Sequence, residues 1–340
     1  MKKLPILILA IFCGCLIATS CKEKTGIAKV VSEYKKGVID EDSLLAYVSD
    51  SAHVKDVIMW AEKNITNDDM AKFLLGRAYK FGLGIERNPI LSKVYYIEAA
   101  KDGNTNAMIG LAHLYQGYPG YENLDSAYYW YNEVAKAGNG DGFFYLSQLE
   151  IQRKAQNNQP CDTAAVIKYL EQGVKLNSAP CLSYLATAYY SGFGVNVDKT
   201  KAFNMLSLAP EDKLDASGTY LLGEMYELGV GTTQNFNAAI KFYKKSAQMG
   251  NTYAMCKMGN FYQFGQGVEK NDSLAFIEYQ RAANAGNPWG MRCVGSCYHN
   301  GAGVKADISN AWHWYKTAAK NGDEEAQKYC KQNGVNYSDY

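Results

Sequence analysis

The chain is short of proline and histidine and carries almost no net charge. Only 7 of its 340 residues are proline, which suits helices joined by short turns. Its four histidines, His53, His113, His299 and His313, are scattered along the sequence. No H-E-x-x-H, G-x-S-x-G, P-loop or EF-hand pattern occurs, so the familiar metal, nucleophile and phosphate motifs are missing. Lys and Arg number 35 against 34 Asp and Glu, a balance of +1. Such a chain gathers no phosphates around it, and nucleic acid is not expected as a partner. What is present is apolar: 47% of residues, with 27 tyrosines. That is ample for a folded core and excludes a largely disordered chain.

Long hydrophobic runs are also missing. The run from Leu4 to Ile17 falls short of the roughly 20 residues a membrane-spanning helix needs. Preceded by Lys2 and Lys3 and followed by Ala18-Thr19-Ser20, it reads as a secretory signal peptide. Cys21 comes next, and the segment resembles a bacterial lipobox, although Ala18 stands where that pattern usually has leucine. The resemblance implies lipidation at Cys21, residues 1–20 as signal, residues 21–26 as lipidated cysteine and tether, and residence in the bacterial outer membrane. Two or more acyl chains anchor stably where one does not. An ordinary cleaved signal with an incidental cysteine is the alternative.

A single period runs through the remainder. Gly223, Gly259 and Gly295 are spaced 36 residues apart, as are Tyr226, Tyr262 and Tyr298. A second column reads Trp60, Tyr96, Tyr131, Leu170, Ser207, Tyr243, Tyr279 and Tyr315. Small residues follow it at Ala100, Ala135, Val174, Ala247, Ala283 and Ala319, and glycines at Gly103, Gly138, Gly250, Gly286 and Gly322. Each unit holds two stretches with apolar residues at helical spacing, helix A and helix B, divided by a G-x-G turn such as Gly265-Gln266-Gly267. These turns lie between helices and lack a P-loop lysine, so they are read as structural rather than phosphate-binding. One pair cannot hide its own apolar face, and neighbours must stack to do so.

These columns resemble the Sel-one-like repeat (SLR) family, relatives of the tetratricopeptide repeats. Ala254, Met258, Gly259, Tyr262, Gly265, Gly267, Val268, Asp272, Ala275, Tyr279, Ala282, Ala283 and Gly286 carry the resemblance in its fullest copy. It implies an all-α, right-handed superhelical solenoid of stacked antiparallel helix pairs. The expected layout is N-terminal helices and a capping half-repeat over 27–66, seven repeats over 67–325, and a C-terminal capping helix and tail over 326–340. Two units depart from the pattern: the third carries a polar loop at Gln156–Pro160, and the fourth has Pro210 where helix B should finish. A local change of curvature, an insertion that meets a partner, or simple degeneracy would each account for them.

Six cysteines remain beyond the N-terminal segment. In an exported protein, Cys161 with Cys181 and Cys297 with Cys330 are conceivable disulfides, and buried free thiols are the alternative. Cys293, Cys297 and His299 lack zinc-ligand spacing. Ser32-x-x-Lys35 and Lys24-Thr25-Gly26 match fragments of penicillin-recognising motifs, but in the wrong order and with no S-D-N. They are read as coincidence. No catalytic residue, metal or cofactor is expected.

By the same resemblance, helix A lines a concave face and its variable positions meet a guest. That register selects Phe73, Arg77, Lys80 and Phe81; His113 and Gln116; Tyr184 and Tyr190; Tyr220, Glu224 and Glu227; Asn260, Gln263 and Phe264; Arg292 and His299. Mixed aromatic, amide and charged groups suit a protein or peptide partner. The expected function is therefore a lipid-anchored envelope scaffold rather than an enzyme. A peptidoglycan- or glycan-binding protein is the alternative, and a cell-wall or β-lactam hydrolase a remoter one.

Overall fold

The computed structural model describes residues 26–39, 41–156 and 161–337. The expected signal peptide, Cys21 and residues 22–25 of the tether lie outside the described residues. So do 157–160 of the polar loop. Among the described residues every regular element is a helix, and the chain divides into two compact units, 1–107 and 108–340.

The first unit opens with α1 (Gly26–Lys35), α2 (Glu41–Ser49) and α3 (Val54–Asn64), then the hairpin of α4 (Asp69–Phe81) and α5 (Pro89–Lys101). The division falls within α6 (Thr105–Gly117), which is followed by α7 (Leu124–Lys136). The second unit continues with five more hairpins. They are α8 (Asp141–Gln156) with α9 (Thr163–Lys175), α10 (Ala179–Ser191) with α11 (Lys199–Ser207), and α12 (Ala216–Leu228) with α13 (Phe236–Gln248). Then come α14 (Thr252–Phe264) with α15 (Asp272–Asn284), α16 (Pro288–Asn300) with α17 (Ile308–Lys320), and a single α18 (Glu324–Gln332). Each of these A helices packs on its own B helix, and each B helix on the A helix that follows.

The turn between paired helices is held the same way in most repeats. In the sixth, the Asn271 amide donates to the Tyr262 carbonyl at 2.8 Å while the Asn271 side chain accepts from the Leu274 amide at 2.9 Å. One residue thus ties the turn to helix A and caps helix B, satisfying an amide that would otherwise lack a partner. Asn235 and Asp307 repeat both bonds. The two glycines of the turn have different duties. Gly301 ends α16 at φ +68°, the left-handed conformation that costs glycine least. Gly303 instead passes so close to α15 that an added Cβ would sit 2.1 Å from the Asp272 carbonyl oxygen.

The helix-B tyrosines fill the core. Tyr96, Tyr131, Tyr243 and Tyr279 are all fully buried. Tyr279 lies over Gly259 of its partner helix, where a Cβ would come within 2.3 Å of the ring. That approach explains why glycine, a poor helix former, recurs in the middle of helix A. In the fourth repeat the column slips: Leu206 is buried in place of a tyrosine, and Ser207 is only half-buried. Here α11 stops at Ser207, one turn earlier than the 13-residue B helices elsewhere, and Pro210 leads into a short 3₁₀ turn. The missing turn leaves a cleft of about 960 Å³ floored by Val174, Leu182 and Met205, with Leu208 82% exposed at its edge.

The suggested disulfides are not formed. Cys181, Cys297 and Cys330 are buried free thiols. Cys181 packs against the backbone at Gly173 and Gly140, and its thiol lies 3.7 Å from the Gly140 carbonyl oxygen. It serves the core as a small apolar group.

Candidate functional site

Within the second unit, the helix-A faces of α12, α14 and α16 form a continuous surface of rings and polar groups. Tyr220 and Tyr253 approach at 6.4 Å between ring centroids, and Tyr253 and Trp289 at 6.5 Å. Between α14 and α16 lies a cleft of about 330 Å³ lined by Asn260, Gln263, Phe264, Tyr279, Trp289, Arg292, Cys293 and Ser296. Phe264 is 65% exposed at its rim.

The cleft is built from the core outward. Tyr279 crosses from α15 with its ring buried, and its hydroxyl oxygen emerges 2.7 Å from Asn260 Oδ1 and 2.8 Å from Gln263 Oε1. A phenol has one proton to donate, so one of these amides is left with an acceptor to offer elsewhere. The same device recurs. Tyr131 donates to Gln116 Oε1 at 2.6 Å, and Gln116 donates onward to Gln152 at 2.7 Å. Tyr243 donates to Glu227 Oε2 at 2.5 Å, and Lys257 donates to that same oxygen at 2.9 Å. Burial, reinforced by the bond to Glu227, pushes the Tyr243 phenol far above its ordinary range, so it remains a donor.

The cations Lys257 and Arg292 on this surface are matched by carboxylates of the chain itself. Arg292 donates from Nε to Asp323 at 2.9 Å and from Nη1 to Glu325 at 2.9 Å, joining α16 to the start of α18. Beside it, burial pushes the Cys293 thiol up to about 12, with Arg292 opposing. Its surroundings keep the thiol protonated at neutral pH. Among the described residues, no three His, Cys, Asp or Glu side chains gather as a cation site. No helix there is long and apolar enough to cross a membrane.

The structure distributes the sequence-selected residues unevenly. Asn260, Gln263, Phe264 and Arg292 share the cleft; Tyr220, Glu224 and Glu227 lie on the adjoining α12. Tyr184 is exposed against Phe144, Tyr190 has Lys199 Nζ 5.4 Å from its ring, and His299 is exposed outside the cleft. His113 packs edge-on to Tyr131 and Tyr145. In the first unit Arg77, Lys80 and Phe81 stand together at the end of α4. Phe73 needs correction: at 4% exposure it is a core residue stacked on Tyr96, because α5 crosses helix α4 at its position. Tyr253, Lys257 and Trp289 were not selected, yet they contribute to this surface. Tyr253 and Trp289 stand 36 residues apart, a signal that lay one helical turn ahead of the columns used. The Ser32 and Lys35 fragment has no catalytic setting, since Lys35 is held by Asp68 at 2.8 Å and Asp69 at 3.3 Å.

Comparison with known proteins agrees with this architecture. The Sel1 repeat profile matches residues 69–104, 105–139, 179–209, 216–251, 252–287 and 292–323. The hairpin of α8 and α9 fills the gap between the second and third matches. A Sel1-repeat-containing protein of Escherichia coli K12, YjcO, is 26% identical over 160 residues, covering 46% of this chain and 67% of its own. A crystal structure of a Sel1 repeat protein from Oxalobacter formigenes superposes with a TM-score of 0.57 at 22% identity, covering 89% of both chains. A protective antigen of uropathogenic E. coli displaying an SLR fold gives 0.53 at 20% identity, with 88% of this chain and 65% of that one covered. Six matched repeats and an all-helical array of the same class place this chain in the Sel1 repeat family.

Proposed function

We propose that the protein is a lipid-anchored scaffold of the cell envelope that binds a protein or peptide segment along the helix-A face of its second unit. The Sel1 repeat fold is typically used for protein–protein interaction. The observation that carries the reading is the pairing of one exposed and one half-buried ring with polar groups held ready at one cleft. Phe264 and Trp289 offer apolar area, while Asn260, Gln263 and Ser296 offer donors and acceptors beside them. Aromatic anchors ringed by hydrogen-bonding groups are the usual makeup of binding hot spots. The tyrosines of helix B hold the amides in place beforehand, which lowers the ordering cost of binding. Sel1 repeat proteins are generally non-catalytic scaffolds, and the protein is read as one of them.

The anchor rests on the lipobox-like Ala18–Cys21 segment alone. Growth with a labelled fatty acid tests it: wild type takes up label and Cys21→Ser does not. Binding is tested by pull-down from detergent-solubilised envelope with wild type and with a Phe264→Ala/Trp289→Ala double variant. A protein retained by the first and lost by the second supports the reading. A capture indifferent to both substitutions opposes it. The spaced rings of Tyr253 and Trp289 also suit sugar stacking. Retention of a purified glycan instead of a protein would favour that second reading.

A further inference from the structure

Cations on the helix-A side of this protein usually meet carboxylates of the chain itself. Lys72 meets Asp102, Lys257 meets Glu227, and Arg292 meets Asp323 and Glu325. Arg77 and Lys80 break the rule. Both are half-buried near the end of α4, and no carboxylate among the described residues lies within ion-pair distance of either. Glu86, on the following turn, is exposed and joins neither. Among the described residues Arg77 Nε is buried with no hydrogen-bond partner, and its Nη2 reaches only Ser49 Oγ at a long 3.4 Å. The Arg77 guanidinium carbon and Lys80 Nζ each stand 5.1 Å from the centre of the Phe81 ring. That ring is 52% exposed. Two like charges thus flank one open aromatic face with no carboxylate among the described residues paired to either.

We propose that Arg77, Lys80 and Phe81 form a receptor for a carboxylate carried by a peptide partner. The inference rests on the reading of helix A as the binding side and names the chemistry that one part of it recognises. Nε itself is buried, so an arriving carboxylate meets the terminal nitrogens of the Arg77 guanidinium, which present paired N–H groups of suitable geometry and hold only the long bond to Ser49 among the described residues. Phe81 offers apolar area to the stem of the acidic residue or its neighbour. A phosphate fits less well. The site lies at the C-terminal end of α4, where the backbone presents carbonyl oxygens, and one of them, Lys80 O, already accepts from Arg87 Nε at 3.0 Å. A helix end of that polarity gives no amide cradle and repels multiple negative charge. Burial, with the neighbouring Arg77 charge, lowers Lys80 to about 8. It therefore remains largely protonated near neutral pH while bearing the strain of its neighbour.

The test uses the full chain and four probes in a titration at low salt: octaglutamate blocked at both ends, an alanine-rich octapeptide with a free C-terminus, blocked octaglutamine, and inorganic phosphate. Binding of either carboxylate peptide, weakened about tenfold or more by Arg77→Met and by Lys80→Met, supports the proposal. Which of the two binds identifies a side-chain or a chain-terminal carboxylate. Both variants should melt at or above the wild-type temperature without ligand, because each removes an uncompensated charge. That outcome also shows they fold. Failure of both carboxylate peptides, binding unchanged in the folded variants, or tighter binding of phosphate overturns the proposal. A chain that still captures its partner through Phe264 and Trp289 while ignoring both peptides overturns this inference and leaves the broader function standing.

Discussion

The Tyr243 hydroxyl and the Glu227 carboxylate, 2.5 Å apart, join the buried core of the fifth repeat to its outer face. Lys257 of the next repeat donates to the same oxygen. The core therefore sets where the charged pair stands. Tyr243→Phe keeps the ring and removes the donor, and it should cost about 1.5–3 kcal/mol, the usual worth of a hydrogen bond to a charged group. Tyr243→Ala adds a cavity and should cost about 3–5 kcal/mol. Urea unfolding of both variants checks the order. A Tyr243→Phe variant as stable as wild type would mean that the hydroxyl contributes nothing.

Alkaline pH should loosen the fold before the lysines discharge. Burial pushes the Cys181 thiol up to about 11, moderated by a bond from Ser178, and burial lifts Cys297 likewise to about 11. The ordinary value is 9.0, so above it the unfolded chain loses these protons first. Their stabilisation is complete below pH 9 and is lost as pH rises through 11, on the order of 2 kcal/mol for each thiol. Lys80 works the other way, since its lowered value adds stability as pH climbs from about 8 to 10.5. Two thiols outweigh one amine, and buried phenols such as Tyr279 act in the same direction as the thiols. Melting temperature should fall between pH 9 and 11, and less steeply in Cys181→Ala. A flat profile in the wild type would contradict the assignment.

The features legible in the sequence were the ones that steric demand repeats. Gly259 must be glycine because Tyr279 covers it, and Gly303 because the Asp272 carbonyl lies against it. Such requirements recur in most repeats and print a column. The site was less legible because a column does not say which side of a helix a neighbour covers. Phe73 and Arg77 are four residues apart and share a helical stripe, yet α5 covers the first and leaves the second half-buried. Disulfides were illegible for a related reason: order along the chain does not give a distance, and Cys181 faces the backbone of Gly173. Pro210 did announce an interruption. The cleft it produces depends on the turn of helix missing behind it, which only the packing reveals.

Asn177 takes the place that glycine holds in other repeats and is the one non-glycine residue with positive φ, 60°, among the described residues. Asparagine tolerates this conformation better than most side chains, and a β-branched residue does so poorly. Asn177→Gly should be neutral or stabilise slightly, whereas Asn177→Val should cost about 1–2 kcal/mol. Thermal denaturation of the pair decides it. Equal stability of the valine and glycine variants would show that the backbone relaxes out of the left-handed region.

Gly259→Ala tests how far damage travels through stacked repeats. Alanine is the better helix former by about 1 kcal/mol, so helix propensity alone forecasts a gain. Packing forecasts the reverse. The new Cβ would lie 2.3 Å from Tyr279 Cε1, and that ring is fully buried with its hydroxyl fixed between Asn260 and Gln263. It cannot move without opening the cleft. Overpacking of this kind typically costs about 1–3 kcal/mol. Because each repeat leans chiefly on its neighbours, the loss should appear locally. Amide exchange should quicken in α14, α15 and the adjoining α13 and α16, while α4 and α5 keep their protection. Uniform acceleration along the whole chain would show that the repeats unfold as a single cooperative body. An unchanged pattern would show that Tyr279 has room to yield.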